Sequence, residues 1–257
     1  MTFKPFLFAL GATLLAQPVI AQEAAFFESF DRLDQGRWYV SDGWSNGAHQ
    51  NCTWSADQAT VSGGALRIGF APGPKGDRQY RCGEIQTRKA YGYGTFEARL
   101  KTPAGSGLNA AFFSYIGPQQ GKPHDEIDFE ILLRDTGHVD TTTWVNGVSG
   151  DGDMGAGQSH ALPRPSDSGF TTFAFTWEPD RVRYFIDGQL VRTINNPKMV
   201  PRNAQRIFFS LWGSDTLTEW MGAFAPVSAP IAMEVDWVAY TPMGTDCAFE
   251  QSILCQD

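Results

Sequence analysis

Alternation of apolar and polar residues with a period of two runs through most of the chain. In Thr95-Phe96-Glu97-Ala98-Arg99-Leu100-Lys101 the apolar residues take every second place, which predicts a strand with one buried and one wet face. Phe173, Phe175 and Trp177 repeat the period. Val182, Tyr184 and Ile186, followed by Asp187-Gly188 and then Leu190-Val191, read as a hairpin, because Asp-Gly supplies the positive-φ positions of a tight turn. Residues 207–212 and 235–240 predict further strands. No amphipathic helix, internal repeat or low-complexity linker interrupts the pattern, and 149–157 and 163–168 read as loops within it. Short strands separated by Gly, Pro, Asn and Asp predict an all-β sandwich in a single domain.

Composition changes that picture in two ways. The 257 residues carry 20 Lys+Arg against 28 Asp+Glu, a formal net charge of −8, which argues against a nucleic-acid or anionic-membrane partner, since both need a basic face. At the start, Lys4 precedes an apolar run over 6–16 and a small-residue exit at Val19-Ile20-Ala21, the features of a secretory signal peptide cleaved after Ala21. The run is far below the ~20 apolar residues that span a bilayer. The expected organisation is a leader over 1–21 and one domain over 22–257, secreted or periplasmic.

Export makes disulfides the expected state of the cysteines. Cys52, Cys82, Cys247 and Cys255 admit three connectivities, which the sequence alone does not separate. The local pairing, Cys52–Cys82 with Cys247–Cys255, is the expectation. A zinc site is the rival, but no C-x-x-C pair is present and the four His (49, 124, 138, 160) are scattered.

The most informative segment is His124-Asp125-Glu126-Ile127-Asp128-Phe129-Glu130-Ile131. As a strand it buries Ile127, Phe129 and Ile131 and turns Glu126, Asp128 and Glu130 to the other face. Three acids in a row repel one another. Glycoside hydrolysis needs such a group: one carboxylate to attack the anomeric carbon and one carboxylic acid to protonate the leaving oxygen. Glu126 and Glu130 have Cα atoms ~13 Å apart along a strand, and inward-leaning side chains would shorten that toward the ~5–5.5 Å of a retaining enzyme. Asp128 between them would hold the two charges apart so that their pKa values separate. A solvated acidic face and a calcium site are the alternatives.

Asp125-Glu126-Ile127-Asp128-Phe129-Glu130 resembles the signature of glycoside hydrolase family 16, and bacterial lichenases (endo-β-1,3-1,4-glucanases) within it. Further matching stretches are Ser41-Asp42-Gly43-Trp44-Ser45-Asn46-Gly47, Asn51-Cys52-Thr53-Trp54, Cys82-Gly83-Glu84, Tyr91-Gly92-Tyr93-Gly94, Phe112-Phe113-Ser114-Tyr115, Asn146-Gly147-Val148, Leu211-Trp212-Gly213 and Val235-Asp236-Trp237-Val238. The resemblance implies a concanavalin-like β-jelly-roll sandwich of two antiparallel sheets. It makes Glu126 the nucleophile, Glu130 the general acid/base and Asp128 their helper, with no cofactor for catalysis. It supports the Cys52–Cys82 disulfide and suggests a structural calcium held by the Asp236 carboxylate and the carbonyls of Ser29 and Gly64.

Saccharide clefts need aromatic platforms for the C–H faces of sugars and polar partners for hydroxyls. The resemblance points to Trp44, Tyr115, Trp144, Trp212 and Trp220 as platforms, and Asn46, Glu84 and Asn146 are candidate hydroxyl partners. His124 shares the parity of the acids and should face the cleft, where lichenases usually carry Trp. Gln86, Thr142 and Ser210 also depart from the lichenase pattern, replacing an Arg and two Asn. The tail 246–257 runs past where such enzymes usually end. The expected function is a secreted, retaining, monomeric endo-β-glycanase acting on β-1,3-1,4-glucan or a related β-glucosyl exopolysaccharide. The alternatives are a lectin-like binding module and a transglycosylase on the same fold.

Overall fold

The structure, a computed structural model, describes residues 24–150 and 157–256. The leader expected over 1–21 and the middle of the loop expected over 149–157 lie outside the described residues. Two sheets face each other. One, the cleft sheet, runs Gln158–Ala161, His138–Val145, Asp125–Leu132, Leu108–Ile116, Arg206–Gly213, the second half of Arg78–Thr87, and Trp38–Val40. The back sheet runs Ala59–Ser62, Ala65–Lys75, Ile231–Pro242, Gly94–Lys101, Thr171–Glu178, Arg181–Ile186 and Gln189–Ile194. Phe26–Glu28 lies beside the last part of Ile231–Pro242.

Arg78–Thr87 belongs to both sheets, pairing with Ala65–Lys75 up to Cys82 and with Arg206–Gly213 from Gly83 onward. The crossover point has no room for a side chain, since a Cβ on Gly83 would sit 2.4 Å from the Gln58 carbonyl oxygen. Among the described residues pairing is antiparallel except for Cys52–Trp54, which runs parallel to Arg78–Thr87 and is tied to it by the Cys52–Cys82 disulfide. Cys247 is bonded to Cys255, so the local connectivity is the one formed.

The alternation places the core. Phe112, Phe129 and Phe209 of the cleft sheet meet Phe173, Phe175 and Tyr184 of the back sheet, with Phe112–Phe175, Phe129–Phe173 and Phe129–Tyr184 centroids 5.9, 5.2 and 5.2 Å apart. Rings of this size bury 150–250 Å² each and dominate the packing. Ile127 and Ile131 are buried in the same layer. The expected hairpin is present, Asp187 and Gly188 taking φ values of 44° and 78°.

One expectation needs correction. The polar face of Gly94–Lys101 is not uniformly wet, because Glu97 is fully buried. The C-terminal tail covers it: Ser252 Oγ and the Ile253 N–H donate to the Glu97 carboxylate at 2.6 and 2.8 Å. Phe249 packs on Phe27, which in turn packs on Trp237. The tail, without a role in the sequence reading, is thus a docked flap on the back sheet, closed by Cys247–Cys255.

Candidate active site

Antiparallel register sets out the site in rows. Glu130, Ala111, Ser210 and Glu84 lie side by side across four strands of the cleft sheet. Asp128, Phe113, Phe208 and Gln86 form the next row, and Glu126, Tyr115 and Arg206 the third. Successive strands lie ~4.8 Å apart and alternate residues share a face, so the acid trio shares one surface with the aromatic and amide residues of its neighbours. That surface lines a cavity of ≈ 440 Å³ whose walls include Trp44, Asn46, Glu84, Gln86, Tyr115, His124, Glu126, Asp128, Glu130 and Trp212.

Burial separates the acids electrostatically. Glu130 is pushed up to about 7 by burial, partly countered by the Asn109 Nδ2 donor 2.9 Å away and reinforced by the charges of Glu126 and Asp140. Asp128, buried, is raised well above the usual carboxylate range by desolvation and by both glutamates. It is hydrogen-bonded to Glu126 and to Trp144; protonated, it is the donor toward Glu126. Glu84 is also pushed up to about 7 by burial, against the Ser41 Oγ donor at 2.5 Å, with the Glu126 charge adding to the rise. Three of the four carboxyls lining the cleft are therefore held toward their neutral form.

His124 faces the cleft as its parity requires. Its Nε2 lies 2.7 Å from Glu126 Oε2, and its ring stacks on Trp144 with centroids 5.3 Å apart. Tyr115 meets the same imidazole edge-on. Trp144 is cross-strand partner of Glu126. Trp220 lies beside Trp212, with centroids 6.3 Å apart, and lines a neighbouring hollow rather than the main cavity. Asn146, with φ of 54°, forms the exposed turn that follows Trp144. Ser210 lines the cavity, and Thr142 lies beside Asp128 with its carbonyl accepting from Tyr184.

The sequence pattern of the family described as "Glycosyl hydrolases family 16" matches residues 46–239. The chain belongs to that family. It is a glycoside hydrolase, and its sheets form the jelly-roll sandwich of the lichenase structures it resembles. Over 232 residues it is 48% identical to the endo-1,3-1,4-beta-glycanase ExoK of Rhizobium meliloti, covering 90% of this chain and 84% of that one. A beta-glucanase of Bacillus subtilis is 34% identical, with 91% and 92% covered. Among solved structures, the Bacillus licheniformis beta-glucanase superposes with a TM-score of 0.78 at 32% identity, covering 85% of this chain and 98% of that one. A lichenase from a mouse hindgut metagenome gives 0.80 at 30% identity, covering 86% and 100%.

Within this glycoside hydrolase family 16 chain, several site residues escaped the sequence reading. Asn109 holds Glu130, and Ser41 holds Glu84. Phe113 and Phe208 stack at 4.8 Å on the cleft wall. Asp125 is the least expected, an acid on the apolar parity of the strand that carries the acid trio. Its carboxylate takes the Asn203 side-chain amide at 2.8 Å and the backbone N–H groups of Asn146, Arg202 and Asn203 at 3.1 Å. Burial opposes its charge, yet these donors together hold it below its ordinary value. Asp125 thereby pins two loops to the strand that carries the trio. An acid in an apolar phase demands such partners, and that was the available signal.

Proposed function

We propose that the chain is a secreted, retaining endo-β-glycanase that hydrolyses β-1,3-1,4-glucan or a related β-glucosyl exopolysaccharide. The observation that carries this reading is the contrast within one strand face: Glu130 is held near 7, able to carry a proton at neutral pH, while Glu126 accepts hydrogen bonds from its neighbours. Glu126 then attacks the anomeric carbon as a carboxylate while Glu130 gives its proton to the departing glycosidic oxygen. A covalent glycosyl ester forms and the aglycone leaves as an alcohol. Glu130, now ionised, takes a proton from the incoming water, whose oxygen displaces Glu126 and restores both carboxyls. Asp128 keeps Glu126 oriented and needs no proton exchange of its own. The printed activities of the Rhizobium and Bacillus relatives support a β-1,3-1,4-linked substrate.

Trp44, Tyr115, His124, Trp144, Trp212 and Trp220 serve in this reading as sugar platforms or walls, and Asn46, Glu84 and Asn146 as hydroxyl partners. Replacing Glu126 with Ala abolishes turnover, and azide restores it as a glycosyl azide of inverted anomeric configuration. Full activity of that variant without azide removes Glu126 from the role. A panel of barley β-glucan, laminarin, xyloglucan, agarose and succinoglycan, with linkage analysis of the products, fixes the polymer.

The reading also includes export through the leader at 1–21, a monomeric domain over 22–257, and a structural calcium at Ser29, Gly64 and Asp236. The pairings Val235↔Leu66 and Val238↔Glu28 put Gly64 and Ser29 in stretches neighbouring the bulge at Asp236, which supports a cation held mainly by backbone oxygens. Asp236 is ion-paired with Arg99, and calcium would have to take that carboxylate from the guanidinium. Added calcium raises the melting temperature by mass action. An unmoved melting curve on chelation excludes the site.

A further inference from the structure

Next to the catalytic cavity, and continuous with it, lies a second hollow of ≈ 330 Å³ lined by Tyr39, Trp44, Gln86, Arg88, Gln119, Gln120 and Arg206. Trp44, Gln86, Gln119 and Gln120 belong to both. The charge changes across that shared wall. Four carboxyls and no lysine or arginine line the catalytic cavity, whereas two arginines and no carboxylate line the hollow. In a chain of net charge −8, a cationic end to the cleft is not what composition supplies by chance.

The two arginines reach the hollow from neighbouring strands: Arg206 opens Arg206–Gly213, and Arg88 follows Arg78–Thr87, whose Gln86 pairs with Phe208. Arg206 is also the cross-strand neighbour of Tyr115, and Tyr115 of Glu126. Arg206 therefore lies in the row of Glu126, two strand spacings or roughly 10 Å away between Cα atoms. One Arg206 amino group donates to Gln86 Oε1 at 2.8 Å, and Arg88 Nε donates to the Gln35 carbonyl at 2.8 Å. The Arg88 guanidinium lies 5.7 Å from the Tyr39 ring. Among the described residues neither arginine forms an ion pair, so each keeps donors and its charge for a ligand.

We infer that this hollow is an anion-recognising subsite of the cleft, fitted to a carboxylate carried by the polysaccharide as a uronic acid or as an acidic substituent on a neutral sugar. A guanidinium presents a planar fork of N–H donors that matches a carboxylate. The cleft floor tolerates such a polymer because Glu84, Asp128 and Glu130 are held toward neutrality by their burial. The inference rests on the glycanase reading above and narrows its substrate to acidic members of the class.

The test compares barley β-glucan carrying carboxymethyl groups with the same glucan carrying hydroxyethyl groups at equal density, and with C6-oxidised glucan. The expected result at low salt is a kcat/KM ratio of acidic to neutral polymer of roughly three to ten, the size of two exposed ion pairs, shrinking as salt screens it. Arg88→Glu with Arg206→Glu inverts the ratio, and Arg88→Lys with Arg206→Lys retains part of it. A preference confined to the C6-oxidised polymer assigns the site to a uronic acid, and one confined to the carboxymethyl polymer to a substituent. A ratio near one in the wild type, or a ratio that survives the double charge reversal in a folded variant, overturns the inference. If no glucan is cut, the substrate reading above fails independently. Calorimetric binding of carboxymethyl and hydroxyethyl oligosaccharides to Glu126→Gln then decides this one, equal affinities overturning it.

Discussion

Removing the Asn109 side chain should move the alkaline limb of the pH profile upward. Asn109 is fully buried and donates from Nδ2 to Glu130 Oε1 at 2.9 Å. The donor favours the ionised form of Glu130, whose carboxyl otherwise rises through burial and through the charges of Glu126 and Asp140. A hydrogen bond to a charged acceptor contributes about 1.5–3 kcal/mol, and one to a neutral carboxyl about 1. The difference lost in Asn109→Ala is then about 1 kcal/mol, or roughly 0.7 of a pH unit. Glu130 must be protonated in the free enzyme to act as the acid. The limb of kcat/KM, expected near 7 in the wild type, should therefore shift to higher pH in the variant. The assay is reducing-sugar release from β-glucan between pH 4 and 9, with a melt of each variant to show that it is folded.

Glu84 is also held at about 7, so the profile needs a control. Glu84→Gln removes its titration while leaving the Glu130 environment largely in place. The limb should survive in that variant and still respond to Asn109→Ala. A limb that stays fixed in Asn109→Ala, or moves to lower pH, refutes Glu130 as the acid. Loss of the limb in Glu84→Gln would transfer the titration to Glu84. The apparent value belongs to the interacting cluster of Glu126, Asp128 and Glu130, so the prediction is stated for the shift.

Stability should itself fall as pH rises from about 4.5 to about 7. Glu84 and Glu130 have folded values raised by burial from the ordinary glutamate value of 4.5 to about 7. The native state therefore holds more protons there, and the contribution present below the unfolded value is lost through the folded one. Each raised glutamate is worth on the order of 3 kcal/mol over that interval, and Glu84→Gln should flatten urea midpoints against pH; an equally steep dependence in the variant refutes the assignment. Glu97→Ala should release the C-terminal flap by leaving the Ile253 N–H and Ser252 hydroxyl without their acceptor, a loss of about 2–3 kcal/mol. Limited proteolysis of 246–257 reads that release, and unchanged protection would show that the flap is held by Phe249 and the disulfide instead.

What the sequence disclosed follows from the range of the interactions involved. The trio of Glu126, Asp128 and Glu130 was legible because a strand turns alternate residues to one face whatever lies around it. The same rule located Ile127, Phe129 and Ile131 in the core and turned His124 to the cleft. Asn109, Ser41 and Asp125 were not legible as site residues because their roles lie in pairings with partners 21, 43 and as many as 78 positions away. Periodicity carries no term for such partners.

Glu97 shows the limit most sharply. Alternation along its own strand assigns it to the wet face, and that assignment holds only until another segment lies down on the face. Its partners Ser252 and Ile253 are 155 and 156 positions away. The Cys247–Cys255 closure makes the flap a preshaped loop, which reduces the conformational freedom lost when it docks. The same reasoning applies on the opposite sheet. Arg88 and Arg206 look like two scattered surface charges until the pairing of Arg78–Thr87 with Arg206–Gly213 brings both to the lining of one hollow. Local pattern names the face a residue starts from; strand pairing and covering segments decide what that face meets. The three carboxyls proposed for cleavage are legible in the first, and the arginine pair proposed to read the substrate emerges only from the second.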